Sequence, residues 1–415
     1  MKRREFLATT VTAAGGLLAR GAGAVQPCPP ATMSLTGGTV AQTVCIPGTA
    51  PAWATAMADK TWTSLAGQGT ISAVLPATSP GGTGANGIID AWCGATVDTT
   101  RDELVIPAQG GHSDYYGNEV YVLGLNAATP AWVRVTNPRN SFGSSSDLMD
   151  DGSPRSNHGE SGICYAANVD QVYVAPLMGT APYGNSYNTV SAFSRTTNTW
   201  TTKATPPSGW SAESPWGACA YDPVTGCVFI CGMDGVTNSV TRFNPLTNTH
   251  TMYSNTPVQR GYAGMLALSP ERRCLIYLNG SYVNNNGTFQ WLDLSNPAGG
   301  WHSPAAVSGT ALAGIGSGLV WHSPSGKFLG WNGSGSRSSI TTLTPPSVLS
   351  SGTWSWNSVA ADTANTITPA AAAANGTFGR FNLVPNLGGS GRDFLVVVSN
   401  IAQATYAYKI PVVGL

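Results

Sequence analysis

"SGICYAANVDQVYVAPL", residues 161–177, holds two strands and a turn in one line. β-Branched, aromatic and small apolar residues crowd both ends, and Asn168 and Asp170 between them supply the side chains that favour a tight reversal. The first half mixes small and polar residues, whereas "QVYVAPL" is almost wholly apolar. That contrast predicts a second strand covered on both faces.

The unit recurs. First strands read "AWCGATVD" (91–98), "SGICYAAN" (161–168), "PWGACAYD" (215–222), "YAGMLALS" (262–269), "GSGLVWHS" (316–323) and "GRFNLVPN" (379–386). Each is followed by a more apolar partner: "ELVIPAQGG", "QVYVAPL", "GCVFICG", "RCLIYLNG", "KFLGWNG" and "DFLVVVSN". The starts lie 70, 54, 47, 54 and 63 residues apart, so the spacing is loose while the order of elements is constant. A third strand follows in each case ("NEVYVLGL", "NTVSAFSR", "NSVTRFNP", "GTFQWLDL", "SSITTLTP", "TYAYKIP"), and then a fourth marked by Trp132, Trp200, His250, Trp301 or the pair Trp354 and Trp356.

Four strands per unit, glycines after the second and a tryptophan near the fourth resemble the blades of kelch-type β-propellers. The resemblance implies an all-β, six-bladed kelch-like propeller. Closure points the same way: the sixth unit stops after its third strand, and "TWTSLAG" (61–67) stands upstream as a fourth strand without a unit. If it completes the last blade, the ring has no free edge. A seven-bladed ring would need a further repeat hidden in the long first spacing. The expected organisation is an export signal over 1–24, an arm over 25–60 and one propeller domain over 61–415.

The export reading rests on "KRREFL" (2–7), the apolar run "ATTVTAAGGLLA" (8–19) and the small residues "AGA" (22–24), a twin-arginine signal with its cleavage region. The run falls short of the ~18 apolar residues of a membrane span, and no later stretch reaches that length. A periplasmic or secreted, monomeric bacterial protein is the expectation. Charged residues make up 10% of the chain and balance at 20 against 20, leaving no basic field for nucleic acid or anionic membrane. The 8 cysteines fit disulfides or buried thiols, with Cys28 and Cys45 placed to pin the arm. None has zinc spacing, and no metal or cofactor is expected.

Propeller geometry sorts the polar residues. Loops from a fourth strand to the next first strand, and from second to third, emerge on one face. "HSDYYGN" (112–118) brings His112, Tyr116 and Asn118 there; "SPRSNHGE" (153–160) brings Arg155, Asn157, His158 and Glu160; "SAESPWG" brings Glu213 and Trp216; "VQRGYAG" brings Arg260 and Tyr262; and "GTFGRFN" brings Arg380 and Asn382. Each has a plain structural role available: a histidine as a hydrogen-bonding strut, an arginine tying blades through channel carbonyls, Asn118 as a turn former. Convergence on one mouth is what favours a site. His250, His302 and His322 lie on outer strands or the far side and read as structural.

The residues select among propeller chemistries. Kelch-class copper radical oxidases carry a late His-Tyr pair that is absent here. Sialidases use three arginines, as Arg155, Arg260 and Arg380 invite, but their S-x-D-x-G-x-x-W turn is missing. "ESPWGACA" (213–220) resembles a stretch of the kelch-type sialic-acid mutarotases, which implies an acid/base glutamate at Glu213. In architecture and residue type the chain is most similar to propeller polysaccharide lyases such as the ulvan lyases. That resemblance implies β-elimination on an acidic, uronate-containing polysaccharide. His112 or His158 would be the base, Tyr116 or Tyr262 the acid, and Arg155, Arg260 and Arg380 the carboxylate clamp. Asn118, Glu213 and Trp216 would bind the sugar. A non-catalytic glycan- or protein-binding propeller is the competing class.

Overall fold

Turn chemistry sets the blades. In five of the six units the residue just before the second strand has a left-handed backbone, namely Asp102 (φ 53°), Asp170 (53°), Gly226 (67°), Arg273 (48°) and Gly326 (64°). Each turn folds a first strand back on a second, and the sheets then run antiparallel from inner to outer strand. The computed structural model describes residues 34–35, 38–39, 50–65, 69–78, 84–107, 110, 114–139, 148–175, 189–207, 218–231, 238–255, 264–278, 288–312 and 317–415.

The first blade runs Thr96–Asp98, Glu103–Pro107, Val120–Gly124 and Trp132–Arg134. The second is Ile163–Ala166, Gln171–Val174, Ser191–Ser194 and Thr199–Thr202, and the third Ala218–Asp222, Cys227–Cys231, Asn238–Asn244 and Thr249–Asn255. Met265–Ser269, Cys274–Leu278, Phe289–Asp293 and Trp301–His302 form the fourth, and Ser317–His322, Lys327–Asn332, Ile340–Thr344 and Thr353–Val359 the fifth. Second strands such as Cys227–Cys231 and Cys274–Leu278 are buried along their whole length, as their apolar runs predict, while the outer strand Thr199–Thr202 is mostly exposed. The fifth blade carries an extra strand that the repeat pattern does not announce: Ala306–Ser308 lies parallel to Thr353–Val359 at its outer edge.

The sixth blade closes the ring as the orphan strand predicts. Its own strands are Phe381–Val384, Phe394–Val397 and Tyr406–Lys409, and the fourth is Trp62–Ser64 from the start of the chain. The register pairs Tyr406 with Ser64 and Tyr408 with Trp62. Trp62 is buried, lies 5.1 Å from the Tyr408 ring and donates its indole N–H to the Ser338 carbonyl at 2.9 Å. Truncating a buried aromatic of this kind costs about 3–5 kcal/mol, which gives the closing strand its hold. The fold is therefore an all-β, six-bladed β-propeller.

Five large apolar clusters each span a seam, between blades two and three, three and four, four and five, five and six, and six and one. The remaining seam, between blades one and two, is bridged by charge. Arg101 grips Asp170 with two bonds of 2.5 and 2.6 Å and also reaches Asp98, and Arg195 grips Glu103 at 2.7 and 2.9 Å.

On the face of the first-to-second-strand turns every seam also has a polar tie. Arg101 joins Asp170, Asn168 donates to the Gly226 carbonyl, Arg273 joins Asp222, the Trp321 indole donates to Glu271, His322 meets Asp393, and the Gly388 N–H donates to Asp102. His322 and His250, read from sequence as structural, behave so: His250 bonds the Ala204 carbonyl at 2.8 Å and packs on Phe243.

Contacts divide the chain into residues 1–47 and 48–415. In the first unit the described part is a small hairpin pairing Ser34–Leu35 with Gly38–Thr39. In the second, a short helix, Ala52–Ala56, packs Trp53 on Phe394 at 5.4 Å. The described cysteines, Cys93, Cys164, Cys219, Cys227, Cys231 and Cys274, are buried and form no disulfide with one another, and Cys28 and Cys45 lie outside the described residues.

Candidate functional site

At the opposite face the ring is held by loops rather than by turns. The segment 153–160 enters just before the first strand of the second blade, and all of its residues are buried. Burying so polar a run requires that its groups find partners. Ser156 donates to the Tyr115 carbonyl at 2.7 Å, Asn157 donates to the Arg155 carbonyl at 3.0 Å, and the Asn157 carbonyl takes the Gly110 N–H. The Glu160 N–H donates to the Trp92 carbonyl at 2.8 Å, and the Glu160 carbonyl accepts from Gly379 at 3.2 Å. Lead-in segments of three blades, the first, second and sixth, thus meet at the Glu160 peptide.

Two glycines permit that meeting. A Cβ on Gly94 would sit 2.0 Å from the Glu160 carbonyl oxygen, and one on Gly379 would sit 2.9 Å from the same atom. No side chain fits in either gap. Glu160 itself has a left-handed backbone, φ 40°, uncommon outside glycine and asparagine.

Its side chain is the most anomalous group described. Glu160 is 0% exposed, and neither carboxyl oxygen has a hydrogen-bond partner among the described residues. His158 Nδ1 lies 3.5 Å from Oε1. Burial drives the carboxyl pKa well above the usual carboxylate range, favouring the protonated form. His158 is buried too, and its ring stacks on Trp92 at 4.6 Å with planes 19° apart. The stack fixes the imidazole plane and leaves Nδ1 facing the acid. Such a pair can store and return one proton.

The other sequence candidates are distributed unevenly. Arg380 is fully buried, and its guanidinium goes to the carbonyls of Cys93 (2.9 Å), Val398 (3.5 Å) and Gly376. Burial pulls its pKa down to about 10 against the opposing pull of Cys93 and Asp90. This is the strut arrangement, lashing the sixth blade to the lead-in of the first. Asn118 donates to Ser153 Oγ (2.7 Å) and the Pro154 carbonyl (2.9 Å) and accepts from the Arg139 N–H, so it pins the start of the 153–160 segment. Arg155 is buried within that segment, and Tyr116, on the 114–119 loop, is half-buried. His112, Tyr262, Arg260, Glu213 and Trp216 lie outside the described residues.

Sequence reasoning left Glu160 among the mouth residues without a role and did not single out Trp92. The His-Gly-Glu spacing at 158–160 was the available signal, since a glycine between two ionisable groups lets them turn toward one another. It also passed over Glu119, whose Oε1 accepts the hydroxyls of Tyr115 and Tyr121, the latter at 2.6 Å. Burial raises that carboxyl as well, against the two hydroxyls that lower it. A cavity of about 460 Å³ on the far face is lined by His322, Ser325, Lys327, Arg392 and Asp393, but its histidine is committed to the seam tie. No group of three or more His, Cys, Asp and Glu among the described residues is placed to hold a metal ion. Nor is any described helix long and apolar enough to cross a membrane.

No family model matches the chain and no curated protein does. Among solved structures it is similar to that of YjhT, at 12% identity and a TM-score of 0.43 over 80% of this chain and 96% of that one. It is also similar to a chain of the nidogen/laminin complex, at 9% identity and a TM-score of 0.36 over 64% and 84%.

Proposed function

We propose that this propeller acts on an acidic, uronate-containing polysaccharide by β-elimination, with His158 as the base and Glu160 as the group behind it. The observation that carries the reading is the buried Glu160 carboxyl, without a hydrogen-bond partner among the described residues and 3.5 Å from His158 Nδ1. In such a step the base takes the proton beside the uronate carboxylate, the bond to the leaving sugar oxygen breaks, and that oxygen receives a proton. Neutral His158, with its own proton on Nδ1, takes the substrate proton on the other ring nitrogen, and the Nδ1–H of the resulting imidazolium faces Glu160 Oε1. The low-dielectric setting strengthens that pairing. Arg155, Tyr116 and the loops bearing His112, Arg260 and Tyr262 are the groups proposed to neutralise the acid and protonate the leaving oxygen. Export through the twin-arginine signal, with residues 1–24 removed, would bring the enzyme to such polymers.

The test is incubation of the mature protein with a panel of uronate polysaccharides, following the ultraviolet absorbance of the unsaturated ends. Turnover by the wild type that falls ~10²-fold or more in His158→Ala and in Glu160→Gln supports the assignment. A second reading, glycan binding without chemistry, is favoured by the burial of His158 and Glu160, at 1% and 0% exposed. Retained binding with no new unsaturated ends across the panel would decide for it.

A further inference from the structure

Strand alternation places two cysteines face to face. In the first strand of the second blade, Cys164 and Ala166 project to one side, and both pack into the cluster that fills the seam with the third blade. In the third blade Cys219 packs into that same cluster with Val228 and Ile230, while its neighbours Ala218 and Ala220, and Cys231 across the register, pack the opposite way toward the fourth blade. Of the three cysteines at the inner end of these blades, Cys164 and Cys219 alone therefore share a seam. The strands approach closely there, with the Cys219 N–H donating to the Ser161 carbonyl at 2.8 Å, and the two thiols lie within hydrogen-bonding reach.

We propose that Cys164 and Cys219 are a covalent modification site, forming a disulfide that staples the second blade to the third by exchange with a small-molecule disulfide of the glutathione type. One cysteine thiolate attacks the external disulfide and releases one glutathione. The second cysteine then attacks the mixed disulfide and releases the other. The two cysteine protons end on the two released thiols, so the protein loses two electrons and the oxidant gains them. The staple joins residues 55 positions apart and acts on the chain next to Glu160, because Ser161 is the residue that Cys219 holds. It is independent of the carbohydrate reading.

The experiment is to refold and equilibrate the whole chain in oxidised glutathione, alkylate the remaining thiols under denaturing conditions and map the peptides. A linked pair joining Cys164 to Cys219 is expected, with Cys93, Cys227, Cys231 and Cys274 alkylated. The oxidised protein should melt several degrees above the reduced one, a gap that Cys164→Ser abolishes. Quantitative alkylation of both residues after equilibration, or linkage of either to another cysteine, overturns the proposal. So does an oxidised-to-reduced melting gap that persists in Cys164→Ser and in Cys219→Ala. The peptide map needs no variant, so it decides the matter even where a substitution prevents folding.

Discussion

The seam between the first two blades should weaken with acid, and Asp170→Asn should remove that sensitivity. Arg101 grips Asp170 through both guanidinium nitrogens, and Tyr165 adds a hydroxyl at 2.7 Å. Chiefly through Arg101, these contacts hold the carboxyl at about 2, against an ordinary value of 3.8. At face value that depression is worth roughly 2.4 kcal/mol. The Asp170 side chain is 36% exposed, so solvent screening reduces the figure to about 1 kcal/mol. A depressed folded pKa contributes stability that is fully present above the unfolded value and lost as pH falls through the folded one. The window is therefore pH ~4 down to ~2. Asp222 and Asp393 are also held low, against the upward push of burial, by Arg273 and by His322 respectively, but they remain in both proteins and cancel in the comparison. Urea midpoints measured at pH ~7, ~4 and ~2.5 read the effect. Wild type should exceed Asp170→Asn by about 1 kcal/mol near neutrality, with the gap closing toward pH ~2. A gap that stays constant down to the lowest pH, or one absent at neutrality, refutes the claim that this carboxylate's charge holds the seam.

Gly94→Ala should destabilise the ring by about 2 kcal/mol or more, because a Cβ there would meet the Glu160 carbonyl oxygen at 2.0 Å, a backbone atom that cannot swing aside; thermal unfolding measures it, and an unchanged midpoint would mean that the three lead-in segments do not converge as described. Arg380→Lys should cost about 2 kcal/mol, since one ammonium cannot serve the carbonyls of Cys93, Gly376 and Val398 together. If Arg380 is a strut, the affinity of the folded variant for uronate oligosaccharides is unchanged in a calorimetric titration, whereas a selective loss of affinity at unchanged stability would restore its role as a clamp.

The ring was legible because its information is local and repeated. Each turn needs a residue that tolerates a left-handed backbone, each second strand needs an apolar run, and the closing strand betrays itself as "TWTSLAG" without a unit. Ala306–Ser308 was not legible, since three exposed residues paired to a strand some 47 positions later carry no periodic signal. The candidate site could be read from sequence as a neighbourhood and not as a mechanism. Arg155, His158 and Arg380 were placed at one mouth by counting strands, but whether a guanidinium meets ligand or carbonyl depends on contacts such as that of Arg380 with Cys93, 287 residues away. The isolation of Glu160 has the same origin: its surroundings are assembled from residues 92–95, 158–163 and 376–380, and no one stretch of sequence contains them.

The two ends of the ring differ in how their buried polar groups are settled, and that difference bears on where chemistry resides. At the turn face the charged ties are matched: Arg273 meets both oxygens of Asp222, and Asp393 accepts from His322 and from the Asn386 N–H. At the mouth, Glu160 leaves both oxygens, and Glu119 one, without a hydrogen bond among the described residues. An unsatisfied buried polar group costs about 1–3 kcal/mol, and an apolar side chain of similar volume would avoid it. The propeller needs no acid at position 160 to hold its blades, because the bonds that join them there run through the Glu160 backbone. On the proposed reading, a carboxyl held at that cost, its pKa raised by burial and set beside an imidazole whose plane Trp92 fixes, serves proton transfer rather than support.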